Sequence, residues 1–309
     1  MIFFQKTIIN LQEKTSRING RSFLMKPYFS IIIPTYNRGY ILWKTIQSIQ
    51  NQTFSDWELI IIDDSSTDNT NLVVAQFLQD KRIYYFKNKK NLGPSQSRNI
   101  GLDKAKGEII AYVDSDDPIF EFFLEYTKQM YDKNPKAVFS LSNHNRRREL
   151  YDDKFRLLDF NKAVTAHKGE ITMKDVYHRN VHTSATSVAH KKIIKSKKLR
   201  WDPNFNMFED IDFVMQISKV FPKGFIQIPT VLFNYSEKYG TNSLCSQTSY
   251  EDWANSYEAL YQKHKKDPLM NGQTWYPSKV EKYRKLQKDL IKGKVPQPMY
   301  RYFPNYQAS

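Results

Sequence analysis

Along the first 120 residues, short apolar runs alternate with stretches in which apolar positions recur every three or four residues. Four runs stand out: Ser30-Ile31-Ile32-Ile33-Pro34, Leu59-Ile60-Ile61-Ile62 ending in Asp63-Asp64, Ile83-Tyr84-Tyr85-Phe86, and Glu108-Ile109-Ile110-Ala111-Tyr112-Val113. Continuous apolar runs of this length suit strands covered on both faces, as in a parallel sheet. Between them, Ile41, Leu42, Thr45, Ile46 and Ile49 share one helical face, and Leu72, Val73, Gln76 and Phe77 share another. Ser66 or Thr67 suits the N-cap of that second helix, with Asp68 near its positive end. A third helix is predicted from Pro94 to Lys106, with Gly107 as its stop. The order β-α-β-α-β-α-β predicts an α/β fold with a mostly parallel sheet and right-handed crossovers.

Open sheets of this kind bind ligands beyond the carboxyl ends of their strands. Those ends carry Pro34-Thr35-Tyr36-Asn37-Arg38, then Asp63-Asp64, then Asp114-Ser115-Asp116-Asp117. Three carboxylates in four residues repel one another unless a cation or a donor network sits among them. Hard oxygen ligands suit Mg²⁺ or Mn²⁺ shared with a phosphate; a solvated acidic loop capping the next helix is the other reading. A second acidic cluster, Glu209-Asp210, follows about 95 residues later.

The segment Phe29 to Asp117 resembles the nucleotide-sugar-binding half of a family 2 glycosyltransferase with the GT-A fold, a Rossmann-like sheet flanked by helices. The resemblance rests on Ile33-Pro34-Thr35-Tyr36-Asn37-Arg38, Gln52-Thr53-Phe54, the run from Glu58 through Asp63-Asp64 to Asp68, and Asn91-Leu92-Gly93-Pro94 followed by Ser97-Arg98-Asn99. It closes with Gly107-Glu108 and Val113 to Asp117, and continues more weakly to about residue 236. It implies four parts. These are an N-terminal extension (1–26), a nucleotide-sugar half (27–117), an acceptor half (118–236) and a helical, basic C-terminal region (237–309).

The resemblance also implies roles. Pro34, Thr35 and Tyr36 would hold base and ribose, with Asn37 and Arg38 completing that turn. Asp64, paired with Asp63, would accept from a uracil ring, and Arg98 would lie near base and pyrophosphate. Asp114, Ser115, Asp116 and Asp117 match the family's DxD region, with Asp116 favoured as the ligand of Mn²⁺ or Mg²⁺ and Asp114 and Asp117 as close rivals. The stretch Trp201 to Phe213 resembles the acceptor-side segment, in which Asp210 would be the general base of an inverting transfer. Glu209 and Asp212 would tune that base or orient the acceptor, although Asp212 also reads as an ordinary helix-start acid. A base is required because the acceptor hydroxyl must lose a proton as it attacks the anomeric carbon. His182, in His182-Thr183-Ser184-Ala185-Thr186, either touches a phosphate or sugar hydroxyl or is a hydrogen-bonded structural group. Arg146-Arg147-Arg148 either meets an anionic acceptor or forms a solvated face.

Missing motifs narrow the field. No GxGxxG, Walker lysine loop, HExxH, paired-cysteine or GxSxG pattern occurs, and Cys245 is the single cysteine. The net charge of +15 is uneven: Leu260 to Ser309 holds 11 Lys/Arg against 3 Asp/Glu. Within it, Ser278 to Lys292 predicts an amphipathic helix with Val280, Tyr283, Leu286, Gln287, Leu290 and Ile291 on one side. Its basic face would rest on anionic lipid or lie solvated against the catalytic domain. A nucleic-acid binder is not expected, since the ligand edge of the sheet is acidic. A sugar-phosphate nucleotidyltransferase would need a glycine-rich loop after the first strand, where Pro34 to Arg38 stands instead. A catalytically silent relative would not need Asp114 to Asp117 and Asp210.

No apolar run approaches a membrane span, and Ile2-Phe3-Phe4 and Ile8-Ile9 are too short and broken for a signal peptide. Met25 is an alternative start. These features predict a cytoplasmic protein, or one peripheral to the inner face of a membrane. Its substrates would be a nucleotide-sugar donor, with UDP favoured, and a glycan or lipid-linked acceptor.

Overall fold

A computed structural model describes residues 26–151, 157–160, 164–178, 182–205, 207–239, 248–292 and 294. The N-terminal extension, Cys245 and the tail beyond 294 therefore lie outside the described residues.

The four apolar runs form strands β1 (Phe29–Thr35), β2 (Trp57–Asp63), β3 (Ile83–Lys87) and β4 (Ile109–Tyr112). They pair in parallel in the order β3-β2-β1-β4. Both faces are covered, which is why the runs are continuously apolar. Ile32, Ile60, Ile62, Ile110 and Tyr112 point to one core, and Ile31, Ile33, Leu59, Ile61 and Ile109 to the other. This is the two-residue alternation of a strand.

The sheet then turns antiparallel. β5 (Phe139–Tyr151), β6 (Leu157–Phe160), β7 (Val164–Thr165), β8 (Val188–Lys191) and β9 (Phe225–Tyr239) bring the sheet to nine strands among the described residues. β8 joins β4 to β5 in antiparallel pairing, and β9 runs parallel to β5. Arg146, Arg147 and Arg148 belong to β5, paired in register with Tyr235, Ser236 and Glu237 of β9. Arg146 and Arg148 are half-buried, so this is not a fully solvated face.

Helix α1 (Leu42–Gln50) buries Leu42, Thr45, Ile46 and Ile49, as the spacing predicts. Helix α2 differs from expectation. It is one short piece, Thr70–Ala75, that starts after Asn69 rather than Ser66 or Thr67 and buries Thr70 and Val74, while Leu72 is exposed. The loop before it is drawn toward β1 instead, because Asp68 accepts from the backbone N–H of Gly39 at 3.0 Å and of Thr70 at 3.0 Å. Helix α3 (Pro94–Lys104) ends two residues early, at an extended Ala105. Gly107 is not its stop. A Cβ there would lie 2.5 Å from the backbone nitrogen of Ser30, so glycine is required by the close approach to β1. Gly107 N–H donates to Ser30 Oγ at 2.7 Å, and that hydroxyl donates to the buried Glu58 at 2.6 Å.

Helices α4 (Phe123–Lys133), α5 (Met173–Tyr177), α6 (Glu209–Val220), α7 (Tyr250–His264) and α8 (Trp275–Ile291) complete the fold. The predicted amphipathic helix is α8, which begins three residues earlier than the spacing suggests. Tyr257, Leu260 and Tyr276 of α7 and α8 share one buried cluster with Phe208, Phe213 and Trp201. Among the described residues no helix is long and apolar enough to cross a membrane.

Candidate active site

The loops after β1 and β2 brace each other. Asp64 N–H donates to Thr35 O at 2.8 Å, Asn37 N–H to Ser66 Oγ at 2.9 Å, and Thr67 N–H to Asn37 Oδ1 at 2.8 Å. Asn37 and Ser65 both take positive φ (52° and 72°), a conformation Asn tolerates through local hydrogen bonds. Pro34 and Thr35 are buried, Asn37 and Arg38 half-buried, and Tyr36 is 44 % exposed. The Thr35 hydroxyl is buried and unpartnered.

Asp63 and Asp64 look inward. Asp63 accepts from Ser66 N–H at 2.7 Å and from the Tyr85 hydroxyl. Asp64 draws the loop 88–93 around itself, with Oδ1 accepting from Asn88 Nδ2 (2.8 Å) and Leu92 N–H (2.9 Å) and Oδ2 from Gly93 N–H (2.7 Å). A carboxylate oxygen takes about two donors, so Oδ2 has capacity for one more.

In the DxD loop, Asp117 is buried and turned inward, accepting from Thr186 Oγ1 at 3.1 Å. The same threonine accepts from Asp114 N–H at 3.0 Å, and Asp117 N–H donates to Asp114 O at 3.0 Å. The Ser115 carbonyl accepts from Thr45 of α1 at 3.0 Å. Asp114 and Asp116 are left half-exposed. Among the described residues no set of three or more His, Cys, Asp or Glu side chains forms a metal cage. The two half-exposed carboxylates nevertheless fit a hard cation that takes most of its oxygens from water and phosphate.

Arg98, expected near base and pyrophosphate, is buried. It donates through Nη2 to Asp114 (2.7 Å) and through Nη1 to Glu209 (3.0 Å), with its guanidinium 4.6 Å over Trp201. One cation thus brings together acids that the chain separates by about 95 residues. The neighbouring Asn99 clasps the backbone of Trp201 from both sides, at 2.8 Å and 3.0 Å.

Helix α6 opens at Phe208, which has φ 64°, and its first turn carries Glu209, Asp210 and Asp212. Burial pushes Glu209 up to about 7 against the pull of Arg98, with Asp210 and Asp114 adding to the rise. Asp210 is 9 % exposed and accepts from Ile211 N–H at 2.8 Å. Asp212 is wholly buried and is held by Lys263 and His264 of α7. His182 is half-buried, with Nδ1 2.9 Å from Nε2 of His144. Burial and the neighbouring His167 hold His144 down to about 3, so that ring stays neutral. It stacks on Phe233 at 4.8 Å.

Thr186, His144, Asn99 and Lys263 escape a reading of the sequence, since single polar residues in unpatterned segments carry no local signal. Asn99 lies inside a recognisable stretch, beside Arg98, and Thr186 inside the His182 to Thr186 stretch, but the resemblance gives neither a role of its own.

A parallel half-sheet thus carries acidic loops that face an acidic helix start across a shared arginine. The family model for glycosyl transferase family 2 matches residues 30–192, and the chain belongs to that family. It is 42 % identical over 115 residues to the GalNAc(5)-diNAcBac-PP-undecaprenol beta-1,3-glucosyltransferase of Campylobacter jejuni, covering 37 % of each chain. Over 88 residues it is 42 % identical to WfgD of Escherichia coli, a UDP-Glc:alpha-D-GlcNAc-diphosphoundecaprenol beta-1,3-glucosyltransferase, covering 28 % of this chain and 34 % of that one. The matched stretch therefore spans about a third of these relatives. Its fold is similar to S. aureus TarS 1–349 in complex with UDP-GlcNAc (TM-score 0.58, 20 % identity, 83 % and 71 % of the two chains). The mannosyltransferase PcManGT of Pyrobaculum calidifontis, with GDP-Man and Mn²⁺, is similar over 98 % and 86 % (TM-score 0.57, 12 % identity).

Proposed function

We propose that this glycosyltransferase moves a sugar from a UDP-sugar to a hydroxyl of a lipid-linked or polymeric glycan, with inversion at the anomeric carbon. The observation that carries this reading is Arg98, which spans from Asp114 on the donor side to Glu209 on the acceptor side. The relatives named for UDP-Glc and for undecaprenol-linked acceptors support the donor and acceptor classes.

In this scheme the Pro34 to Arg38 turn receives the nucleoside, with the exposed Tyr36 ring against the base. Asp64 offers its remaining Oδ2 capacity to a ring N–H. Asp116, with Asp114 beside it, would hold Mn²⁺ or Mg²⁺, whereas Asp117 braces the loop through Thr186. When bound, the ion supplies positive charge to the diphosphate oxygens. Asp210 takes the proton of the acceptor hydroxyl, and the oxygen attacks the anomeric carbon from the face opposite the diphosphate. The bond from that carbon to the diphosphate oxygen breaks, and its electron pair leaves with UDP. His182, backed by the neutral His144, lines the acceptor side.

A second reading makes Glu209 the base, because its pKa of about 7 suits proton abstraction. Against it, one of its oxygens is already committed to Arg98. Calorimetric titration of UDP with Mn²⁺ or EDTA, followed by transfer assays with UDP-sugars and undecaprenyl-diphosphate glycans, tests the scheme. Asp210→Asn should abolish transfer while leaving UDP binding intact. If Glu209→Gln alone abolishes transfer, the base is reassigned; if no UDP binds under any condition, the donor is wrong.

A further inference from the structure

The acids at the start of α6 follow a loop whose described residues, 201–205 and 207–208, have little regular structure of their own. Asn99 holds its first residue, and further ties come from α7, outside the stretch the family model matches. Lys263 Nζ donates to Asp202 at 2.7 Å, just after the loop begins. It also lies 2.8 Å from Asp212, one turn into α6, and 5.1 Å over the buried Phe205 ring between them. His264 Nε2 donates to Asp212 at 2.7 Å, and Gln216 Nε2 donates to it at 2.7 Å while also reaching the Arg200 carbonyl at 3.1 Å. Asp212 is fully buried, so this multiply paired carboxylate is a fixed point in a low-dielectric interior. Glu209 and Asp210 lie between the two ends that Lys263 ties.

We infer that Lys263 and His264 are positioning residues for the Glu209–Asp210 pair: the C-terminal helices hold the acceptor-side acids in register with the donor site. This rests on the reading of that pair given above. Asp114 is held by Arg98 and Thr186, and Asp117 by Thr186, so donor binding should be indifferent to the clasp. Catalytic geometry should not be, since a misplacement of about 1 Å costs on the order of 100-fold in rate.

The test uses the full chain with Lys263→Met, Lys263→Arg and Asp202→Asn. Asp202→Asn breaks only the more exposed arm and guards against a Lys263→Met variant that fails to fold. Two readouts are taken: hydrolysis of UDP-glucose and UDP-GlcNAc with Mn²⁺, water serving as acceptor, and amide hydrogen exchange across residues 202–213. The expectation is a fall in kcat of about 10- to 100-fold for Lys263→Met, with UDP affinity unchanged. Asp202→Asn should show a smaller fall, Lys263→Arg should recover most of the rate, and both broken variants should exchange faster across the loop. Unchanged kcat and unchanged exchange in Asp202→Asn and Lys263→Met overturn the inference. If the wild type hydrolyses neither sugar nucleotide while exchange still rises in the variants, the donor reading fails and the clasp stands.

Discussion

The guanidinium of Arg98 donates to Oε1 of Glu209 at 3.0 Å, across 111 residues of sequence, while its other nitrogen donates to Asp114. A guanidinium can do this because its donors form a rigid planar fork, which a lysine ammonium lacks. Arg98 is buried and Glu209 half-buried, so the pair is largely withdrawn from water. It makes the distance between Asp114 and Glu209 a property of one side chain.

Arg98→Ala should therefore be costly in two ways. Removing one partner of a buried charge network typically costs about 3–5 kcal/mol, and transfer should fall with it. Arg98→Lys keeps the charge but offers it from one nitrogen on a differently shaped stem in place of two spaced nitrogens, so it should fold better than Arg98→Ala and remain poorly active. Chemical denaturation beside a donor-hydrolysis assay checks this; full activity in Arg98→Lys would show that one contact suffices.

Asp116 and Asp117 should separate cleanly. Asp116→Ala is expected to abolish the metal dependence of UDP binding with little change in melting temperature. Asp117→Ala should lower the melting temperature, because it strips the Thr186 hydroxyl of its acceptor, at about 1–3 kcal/mol. Calorimetric titration and thermal melts of the two variants distinguish them, and a reversal of the pattern would exchange their roles.

The raised pKa of Glu209 gives a signed prediction for stability. A carboxyl that binds its proton more tightly folded than unfolded stabilises the fold below the unfolded value. That contribution is lost as pH rises from 4.5 through about 7. The stability of the wild type relative to Glu209→Gln should fall by on the order of 3 kcal/mol across that window. Urea unfolding below, within and above it gives the answer, and a flat difference would mean that Glu209 titrates normally.

Helix α8 leaves Lys282, Lys285, Lys288 and Lys292 exposed, whereas Arg284 is paired with Glu258 of α7 at 2.6 Å. If this face meets a membrane carrying the lipid-linked acceptor, each lysine contributes about 1 kcal/mol at an anionic surface. Replacing all four by Glu should abolish sedimentation with phosphatidylglycerol vesicles at low salt and leave UDP binding untouched. Equal sedimentation of both proteins would assign the face to solvent.

Several residues that carry the family resemblance proved to be braces. Gln52 donates to Ser48 O and Phe120 O and accepts from Leu124 N–H, pinning the start of α4 to α1. Glu58 accepts from Ser30 Oγ and Lys106 N–H, and Asp63 from Ser66 N–H. The short α2 was misread because the pull of Gly39 N–H on Asp68 comes from another loop and leaves no trace in local spacing.

By itself the sequence determined the four parallel strands, the helices that flank them and the acidic edge at their carboxyl ends. Strand burial on both faces demands continuous apolar runs, and a helix face demands its own period, so these features are written locally. Only the tertiary structure decided which acids look inward and which stay half-exposed. Asp117 and Asp212 read like their neighbours along the chain, yet Thr186, Lys263 and His264 approach them from far away and bury them. The same is true of Arg98, whose role exists only because α6 folds back to bring Glu209 beside it. A charge's function depends on its desolvation and its partners, and both are supplied by residues that sequence proximity does not reveal.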